Sequence, residues 1–290
     1  MFYILSLLMG ILITIMIAIN GGLTTYYGVY SATMIIHLVG LILISAVVLY
    51  KKERFFPGRF TWYVYLGGAI GVMTTIANNL SFGRISVSAI LALGLLGQTV
   101  TGMVIDQRGL LGMPRHPFTK DKIWGLLLII AGIGSMIYEF EVLAVVVSFI
   151  AGFCIIMSRT LNAKLSDLTS VRVSTFYNYF IGLIVSVLVF LLLGRGEVIF
   201  GEITFSPTWY IYFGGVLGVV VVLMSNIVVV KISAFYLTLL IFVGQVFSGV
   251  LVDAIISQAI STRNVIGGVL VAVGLSINLI LDTRKKVLSR

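Results

Sequence analysis

Residues 62–80 read WYVYLGGAIGVMTTIANNL, and residues 209–227 read WYIYFGGVLGVVVVLMSNI. The two stretches lie 147 residues apart and share a Trp-Tyr pair, a Gly-Gly-x-x-Gly cluster and an asparagine near the end. Apolar sequences can resemble one another through composition alone, but tryptophan, glycine and asparagine recurring in the same order are hard to obtain by chance. The two stretches therefore predict an internal duplication.

The duplication extends through most of the chain. At the same offset Gly97-Gln98 matches Gly244-Gln245, and Asp106 matches Asp253. At an offset of 142 residues the matching pairs are Gly10 and Gly152, Asn20 and Asn162, Thr33 and Thr175, Gly40 and Gly182, and Gly125 and Gly267. We therefore predict two related halves, residues 1–140 and residues 141–290.

Composition indicates that lipid surrounds the chain. Hydrophobic residues make up 60% of the sequence and charged residues 10%, which leaves too few polar side chains for a surface in water. Apolar stretches of about one membrane thickness recur along the chain. They cover residues 3–25, 30–50, 61–80, 85–105, 122–138, 142–163, 173–193, 208–229, 232–252 and 264–281.

Backbone groups have no water partner in lipid, and these stretches are too long for barrel strands, so each should be a helix. We predict an all-α integral membrane protein of ten transmembrane helices, with Asp106 and Asp253 ending the fourth and ninth. Since each half has five helices, the second half must enter the membrane from the opposite face. Two such inverted-topology repeats can exchange conformations, so the pattern predicts a transporter that works by alternating access.

The basic residues predict the orientation. Fifteen Lys and Arg residues fall on the side of the termini, and the opposite side holds only Arg84, Arg195 and Arg263. Basic residues are enriched in cytoplasmic loops, so both termini should be cytoplasmic. The net charge of +9 then reflects orientation and an affinity for anionic headgroups of the bilayer, and no nucleic-acid partner is expected.

Nine polar residues inside the spans are the candidate substrate-binding or gating residues. They are Gln98, Gln245, Asn20, His37, Asn79, Arg159, Asn162, Tyr179 and Asn226. Polar groups in the bilayer core are costly unless hydrogen-bonded, so these side chains should face the interior of the bundle. Gln98 and Gln245 lie near the midplane and should line one cavity; hydrogen bonding between helices is the alternative role for both.

Two candidates have further alternatives. Arg159 either reaches back to the cytoplasmic interface or contacts an anionic group such as a carboxylate. His37 either couples transport to protons or is a hydrogen-bonded packing residue. The single cysteine, Cys154, has no metal-ligand spacing around it, and the common nucleotide-hydrolysis and metalloprotease motifs are absent, so no cofactor, metal or enzymatic activity is expected.

A family resemblance rests on residues in and after the fourth span. Ser86-Val-Ser-Ala, Gly97-Gln98 and residues 104–115, VIDQRGLLGMPR, resemble the YdcZ-like five-helix proteins of the drug/metabolite transporter superfamily. Asn20-Gly21-Gly22-Leu23 resembles that family's first span. The second half lacks the glycine-proline run after Asp253. The whole chain is similar to a fused pair of such proteins.

The resemblance implies the drug/metabolite transporter fold and a secondary carrier of small organic molecules in a bacterial cytoplasmic membrane. We expect an exporter of a small polar or amphipathic metabolite or drug, with proton or sodium as the candidate coupling ion. The alternative is a carrier or scramblase of lipids or lipid headgroups. Because the fusion places a complete pathway in one chain, the protein should be a monomer or a weak homodimer.

The charge distribution generates a topology prediction. A fluorescent protein fused after Arg290 should fluoresce in the cytoplasm, and alkaline phosphatase inserted near Glu139 should be active outside. Each reporter works on one side of the membrane only, so the pair measures both sides. Cytoplasmic placement of both positions would rule out the ten-span topology.

Overall fold

The computed structural model describes residues 1–56, 58, 60–108, 122–137, 141–197, 205–228, 231, 234–258 and 261–288. These residues form ten α-helices. They are α1 (Phe2–Tyr27), α2 (Val29–Tyr50), α3 (Leu66–Ser81), α4 (Val87–Arg108), α5 (Lys122–Met136), α6 (Val142–Leu168), α7 (Val171–Leu193), α8 (Gly214–Val228), α9 (Ala234–Ser257) and α10 (Thr262–Leu288). The loop part of the family motif, residues 109–115, and the junction at 138–140 lie outside the described residues.

The helices follow the predicted spans with differences at their ends. The helices α3 and α8 each follow a short 3-10 turn, at Trp62–Tyr65 and Trp209–Phe213. The helices α6, α9 and α10 continue beyond the predicted apolar stretches. A helix satisfies its backbone internally, so it can continue past the point where its side chains become polar.

Seven helices of the described chain are long and apolar enough to cross a membrane. They are α1, α2, α4, α6, α7, α8 with its preceding turn, and α9. The helices α5 and α10 contain shorter apolar segments, and α3 carries several Thr and Asn residues. The chain is thus an all-helical integral membrane protein, while the crossing of the membrane by α3, α5 and α10 stays a prediction.

The distribution of side chains suits a lipid environment. Large apolar residues lie on the outside of the bundle, and Leu192 and Ile255 are exposed over 74% and 77% of their surface. Small polar residues are buried; Ser6, Thr14 and Ser148 are completely enclosed. Their hydroxyl groups donate to backbone or side-chain oxygens, which removes the cost of placing them away from water.

The two halves of the chain are interlocked. The most extensive helix contacts join one half to the other, and they pair α5 with α10, α3 with α6, α1 with α9, α4 with α6, and α2 with α7. The principal packing partner of each of these helices therefore belongs to the other half. The sequence halves are consequently not two separately packed domains.

Glycines allow the closest of these contacts. A Cβ atom at Gly10 on α1 would lie 2.1 Å from the carbonyl oxygen of Ile241 on α9. At the equivalent place, a Cβ atom at Gly152 on α6 would lie 2.1 Å from the carbonyl oxygen of Gly94 on α4. Glycine lets helix backbones approach each other in a membrane, where lipid provides no hydrophobic driving force for association.

Carboxylates also join the halves. Asp253 of α9 accepts hydrogen bonds from the backbone N–H groups of Val87 and Ser88, at 2.7 and 3.0 Å, at the start of α4. Glu197 accepts from the N–H groups of Tyr30 and Ser31, at 3.1 and 2.7 Å, near the start of α2. The first N–H groups of a helix lack partners within the helix and carry partial positive charge, so a carboxylate stabilises them.

The role of Asp253 differs from the sequence expectation. Asp253 was expected to end the ninth span, but α9 continues to Ser257 and the carboxylate is buried against α4. The expectation was wrong because helix ends are read from local sequence, whereas this contact joins residues 165 or more positions apart. The side chain of the equivalent Asp106 lies outside the described part of the chain.

The glycine contacts generate a stability prediction. Gly152→Ala should lower the free energy of unfolding by about 1–3 kcal/mol, because the added methyl would collide with the α4 backbone. Gly102→Ala is the matched control, since a Cβ atom there meets nothing within 4 Å. Thermal unfolding of both purified variants measures the effect, and equal melting temperatures would contradict this account of the α4–α6 contact.

Candidate functional site

A cavity of about 180 Å³ lies between the two halves. Side chains from α1, α2, α3, α4, α6, α7, α8 and α9 line it, and the described parts of α5 and α10 contribute none. All nine residues singled out from the sequence lie on its surface: Gln98, Gln245, Asn20, His37, Asn79, Arg159, Asn162, Tyr179 and Asn226. Whether they bind a substrate or form a gate stays a prediction.

Arg159 extends into the cavity. Its Nη1 donates a hydrogen bond to Oε1 of Gln98 at 3.3 Å, and the Gln98 amide nitrogen donates to the carbonyl oxygen of Gly94 in the same helix, also at 3.3 Å. This geometry favours the cavity role of Arg159 over an extension to the membrane interface. Within the described chain, the Gln245 side chain has no hydrogen bond that corresponds to the one between Gln98 and Arg159, and interhelical bonding stays the alternative role of both glutamines.

Asn79 and Asn226 make equivalent interhelical bonds. The Asn79 amide donates to the hydroxyl of Thr33 at 3.2 Å, and the Asn226 amide donates to the hydroxyl of Thr175 at 3.4 Å. The first bond joins α3 to α2, and the second joins α8 to α7. These two amide groups therefore hold α3 against α2 and α8 against α7 beside the cavity.

Asn20 and Asn162 lie against glycines of the two quoted stretches. A Cβ atom at Gly214 would lie 1.7 Å from Oδ1 of Asn20, and one at Gly67 would lie 2.2 Å from Oδ1 of Asn162. The Asn162 amide donates to Oδ1 of Asn178 at 2.8 Å, whereas Oδ1 of Asn20 is buried without a hydrogen-bond partner among the described residues. The first glycine of each cluster therefore makes room for a cavity amide.

His37 and Tyr179 occupy equivalent positions and contact each other. Their ring centroids are 5.8 Å apart, and the rings lie against Gly182 and Gly40 respectively. Nδ1 of His37 lies 2.8 Å from the carbonyl oxygen of Thr33, so Nδ1 carries the proton that this bond requires. The geometry accounts for His37 as a hydrogen-bonded packing residue, and proton coupling through it stays a prediction.

Several polar residues of the cavity were not predicted from the sequence. They are Thr74, Thr75, Asn78, Ser158, Asn178 and Ser225. Asn78 and Ser225 each precede a predicted residue in sequence, and Ser158 lies four residues before Asn162, on the same helix face. Helical spacing would have found Thr75 and Ser158, which lie four residues before Asn79 and Asn162.

A comparison with known protein families identifies the family of the chain. The sequence model of a family described as "Putative inner membrane exporter, YdcZ" matches residues 1–134 and matches again at residues 143–277. The chain belongs to the YdcZ family. The predicted resemblance to a fused, two-half form is therefore confirmed, and the family describes inner membrane exporters of the drug/metabolite transporter type rather than enzymes.

Solved structures support the fold of this YdcZ protein. One crystal structure has a TM-score of 0.65 at 13% sequence identity, over 95% of this chain and 98% of the other. At that identity the likeness concerns the fold alone. No curated protein matches the chain in sequence.

The positions of the two glutamines generate a test of the cavity as a binding site. Gln98→Leu and Gln245→Leu should each weaken a bound ligand by about tenfold, because each removes a hydrogen bond in a site of low dielectric constant. The ligand is one that raises the melting temperature of the YdcZ protein in a metabolite screen.

Gln107→Leu is the control, since it makes the same change at the exposed end of α4. Melting temperature without ligand is measured for all three variants. Unchanged affinity together with lowered melting temperature in both cavity variants would assign the glutamines to helix packing alone.

Proposed function

We propose that this YdcZ protein is a secondary active exporter of a small polar or amphipathic organic molecule and that it works by alternating access. Residues 1–140 and 141–290 act as two five-helix repeats with opposite orientations in the membrane, and both termini are cytoplasmic. The observation that carries the proposal is the cavity between the halves, lined by four helices of each.

Equivalent helix contacts support the repeat relation. The α1–α9 contact corresponds to the α6–α4 contact, the α3–α6 contact to α8–α1, and the α3–α7 contact to α8–α2. In each case, exchange of the halves converts one contact into the other. Such exchange is the basis of alternating access in inverted-repeat carriers, because one set of contacts loosens while its equivalent tightens.

Polar clusters at the two ends of the bundle are the candidate gates. At one end the hydroxyl groups of Tyr27 on α1 and Tyr212 before α8 form a hydrogen bond with each other, and both accept from the backbone N–H of Ser206. At the end where α2 meets α7, the carboxylate of Glu53 accepts from Ser170 at 2.6 Å and pairs with Arg172.

The many polar side chains that line the cavity favour a soluble cargo over the lipid alternative. A lipid carrier also needs a lateral path from the bilayer for the acyl chains. A dithionite assay with fluorescent phospholipid, run on the proteoliposomes used for metabolite flux, separates the two functions. Scrambling of the phospholipid without metabolite flux would favour the alternative.

The Tyr27–Tyr212 contact tests the mechanism. In a Cys154→Ala background, Tyr27→Cys combined with Tyr212→Cys places two thiols at the α1–α8 end, and a short bifunctional thiol reagent should abolish saturable flux. A reducible reagent should allow recovery of flux on reduction, because the cycle needs these helix ends to separate.

Flux of a panel of amino acids, sugars and organic acids is measured with cross-linked protein and with each single cysteine variant as control. Full flux through the cross-linked protein would contradict alternating access at this end.

A monomer should support the whole transport cycle. Proton or sodium gradients applied to the same vesicles would identify the coupling ion.

A further inference from the structure

The cavity has two walls of different chemistry. The apolar wall is formed by six residues of α1, α2 and α8, which are Ile13, Met16, Ile17, Ile36, Val221 and Val222. The same helices also bring the polar residues Asn20, His37, Ser225 and Asn226 to the cavity. The polar wall comes from α3, α6 and α7 and consists of Thr74, Thr75, Asn78, Ser158, Arg159 and Asn178. The helices of the polar wall pack against one another, as do α1 and α2 with α8, so each wall is one continuous surface.

The walls differ at positions that the duplication makes equivalent. Arg159 and Ser158 correspond to Ile17 and Met16, at the offset of 142 residues. Asn178 corresponds to Ile36 at the same offset. At the offset of 147 residues, Thr74 and Thr75 correspond to Val221 and Val222. Every one of these differences places the polar residue on the same wall, whereas the residues that pack the helices together are retained in both halves.

Arg159 gives the polar wall a charge that the described protein does not balance. Among the residues lining the cavity it is the only Lys, Arg, Asp or Glu. Of the described carboxylates, Glu53, Glu197 and Asp253 are bonded elsewhere, to Arg172 and to the starts of α2 and α4, and Glu141 and Asp167 are exposed away from the cavity. Of the five N–H donors of a guanidinium, one has an acceptor in Gln98 at 3.3 Å.

A guanidinium in a site of low dielectric constant needs a counter-charge and acceptors for its remaining N–H groups. A carboxylate or phosphate supplies both, since its oxygens match the guanidinium fork. The opposite wall offers such a molecule an apolar surface without charged side chains. On that side Nδ1 of His37 and the amide nitrogen of Asn226 are bonded to Thr33 and Thr175, whereas Oδ1 of Asn20 has no hydrogen-bond partner among the described residues.

We propose that the cargo is an amphipathic organic anion whose carboxylate or phosphate group binds Arg159 and whose apolar part packs on the apolar wall. The inference rests on the proposed exporter function and specifies its substrate class. The anionic group hydrogen-bonds to Arg159 and the neighbouring amides, and the two walls orient the molecule across the cavity. A free anion and an anionic lipid share this chemistry.

Matched probes test the charge requirement on the full-length purified protein. Phenylacetate and hexanoate are each compared with the corresponding amide and amine, and phenylphosphonate represents the phosphate group. The carboxylates and the phosphonate should raise the melting temperature in a saturable way, and the amides and amines should bind at least roughly tenfold more weakly.

Variants assign the effect to the polar wall. Arg159→Gln should remove the preference for anions, and Arg159→Lys should keep part of it because the charge remains without the fork. Arg195→Gln, which removes an exposed arginine, is the control and should bind as the wild type does. Equal binding of carboxylates by the wild type and Arg159→Gln, or a preference for the amines, would overturn the proposal, as would a lack of stabilisation by every anionic probe.

Further measurements distinguish a free anion from an anionic lipid, and they test the anion proposal separately from the exporter function. Micelles with phosphatidic acid are compared with phosphatidylcholine micelles, and stabilisation by phosphatidic acid with none by the soluble anions would refute a free cargo. Flux of the same probes is measured in proteoliposomes. If the protein transports amides or amines and Arg159→Gln does not change their flux, the anion proposal is refuted and the exporter function stands. If anions bind but no probe is transported, the exporter function alone is refuted.

Discussion

Close backbone contact between helices of different halves is the constraint on which the rest of this structure depends. Lipid gives two apolar helices no reason to associate, so packing and hydrogen bonding must hold the bundle together. At Gly10 and Gly152 the partner backbone approaches so closely that no side chain fits. Because α1 is held on α9 and α6 on α4 in this way, the halves interlock and enclose a cavity between them.

The same contacts decide how the charged residues are used. Asp253 and Glu197 reach across the interface between the halves and stabilise helix starts, at α4 and α2. Carboxylates with helix N-terminal partners are neutralised by local dipoles and are not free to pair with a cation elsewhere. Within the described part of the chain, Arg159 is bonded to the amide of Gln98 and has no carboxylate partner, and it is the charged residue that lines the cavity.

The packing residues are equivalent in the two halves, whereas several residues that line the cavity differ between them. Equivalent packing residues, such as the glycines that lie against Asn20 and Asn162, give both halves the same contacts. Unequal lining residues, such as Arg159 and Ile17 at corresponding positions, give the cavity one polar and one apolar wall. In the proposed exporter, the shared contacts serve the change of opening and the unequal walls orient the cargo.

The sequence by itself predicted the helices, two related halves that each match the family model, and nine of the polar residues that line the cavity. Apolar length and the absence of water fix a helix locally, and a polar residue such as Gln98 or Asn226 inside an apolar span must face protein, so its place in a cavity followed directly. The family pattern was likewise readable from contiguous residues.

Only the tertiary structure decided which helices meet and what each polar group contacts. Gly152 marks a close approach in the sequence, but its partner on α4 lies far along the chain. The bond from Arg159 to Gln98 and the placement of Asp253 on α4 depend on that same pairing. Helix period is a local property, whereas the choice of partner depends on the packing of all the helices at once, so these contacts had no signal in any single stretch of sequence.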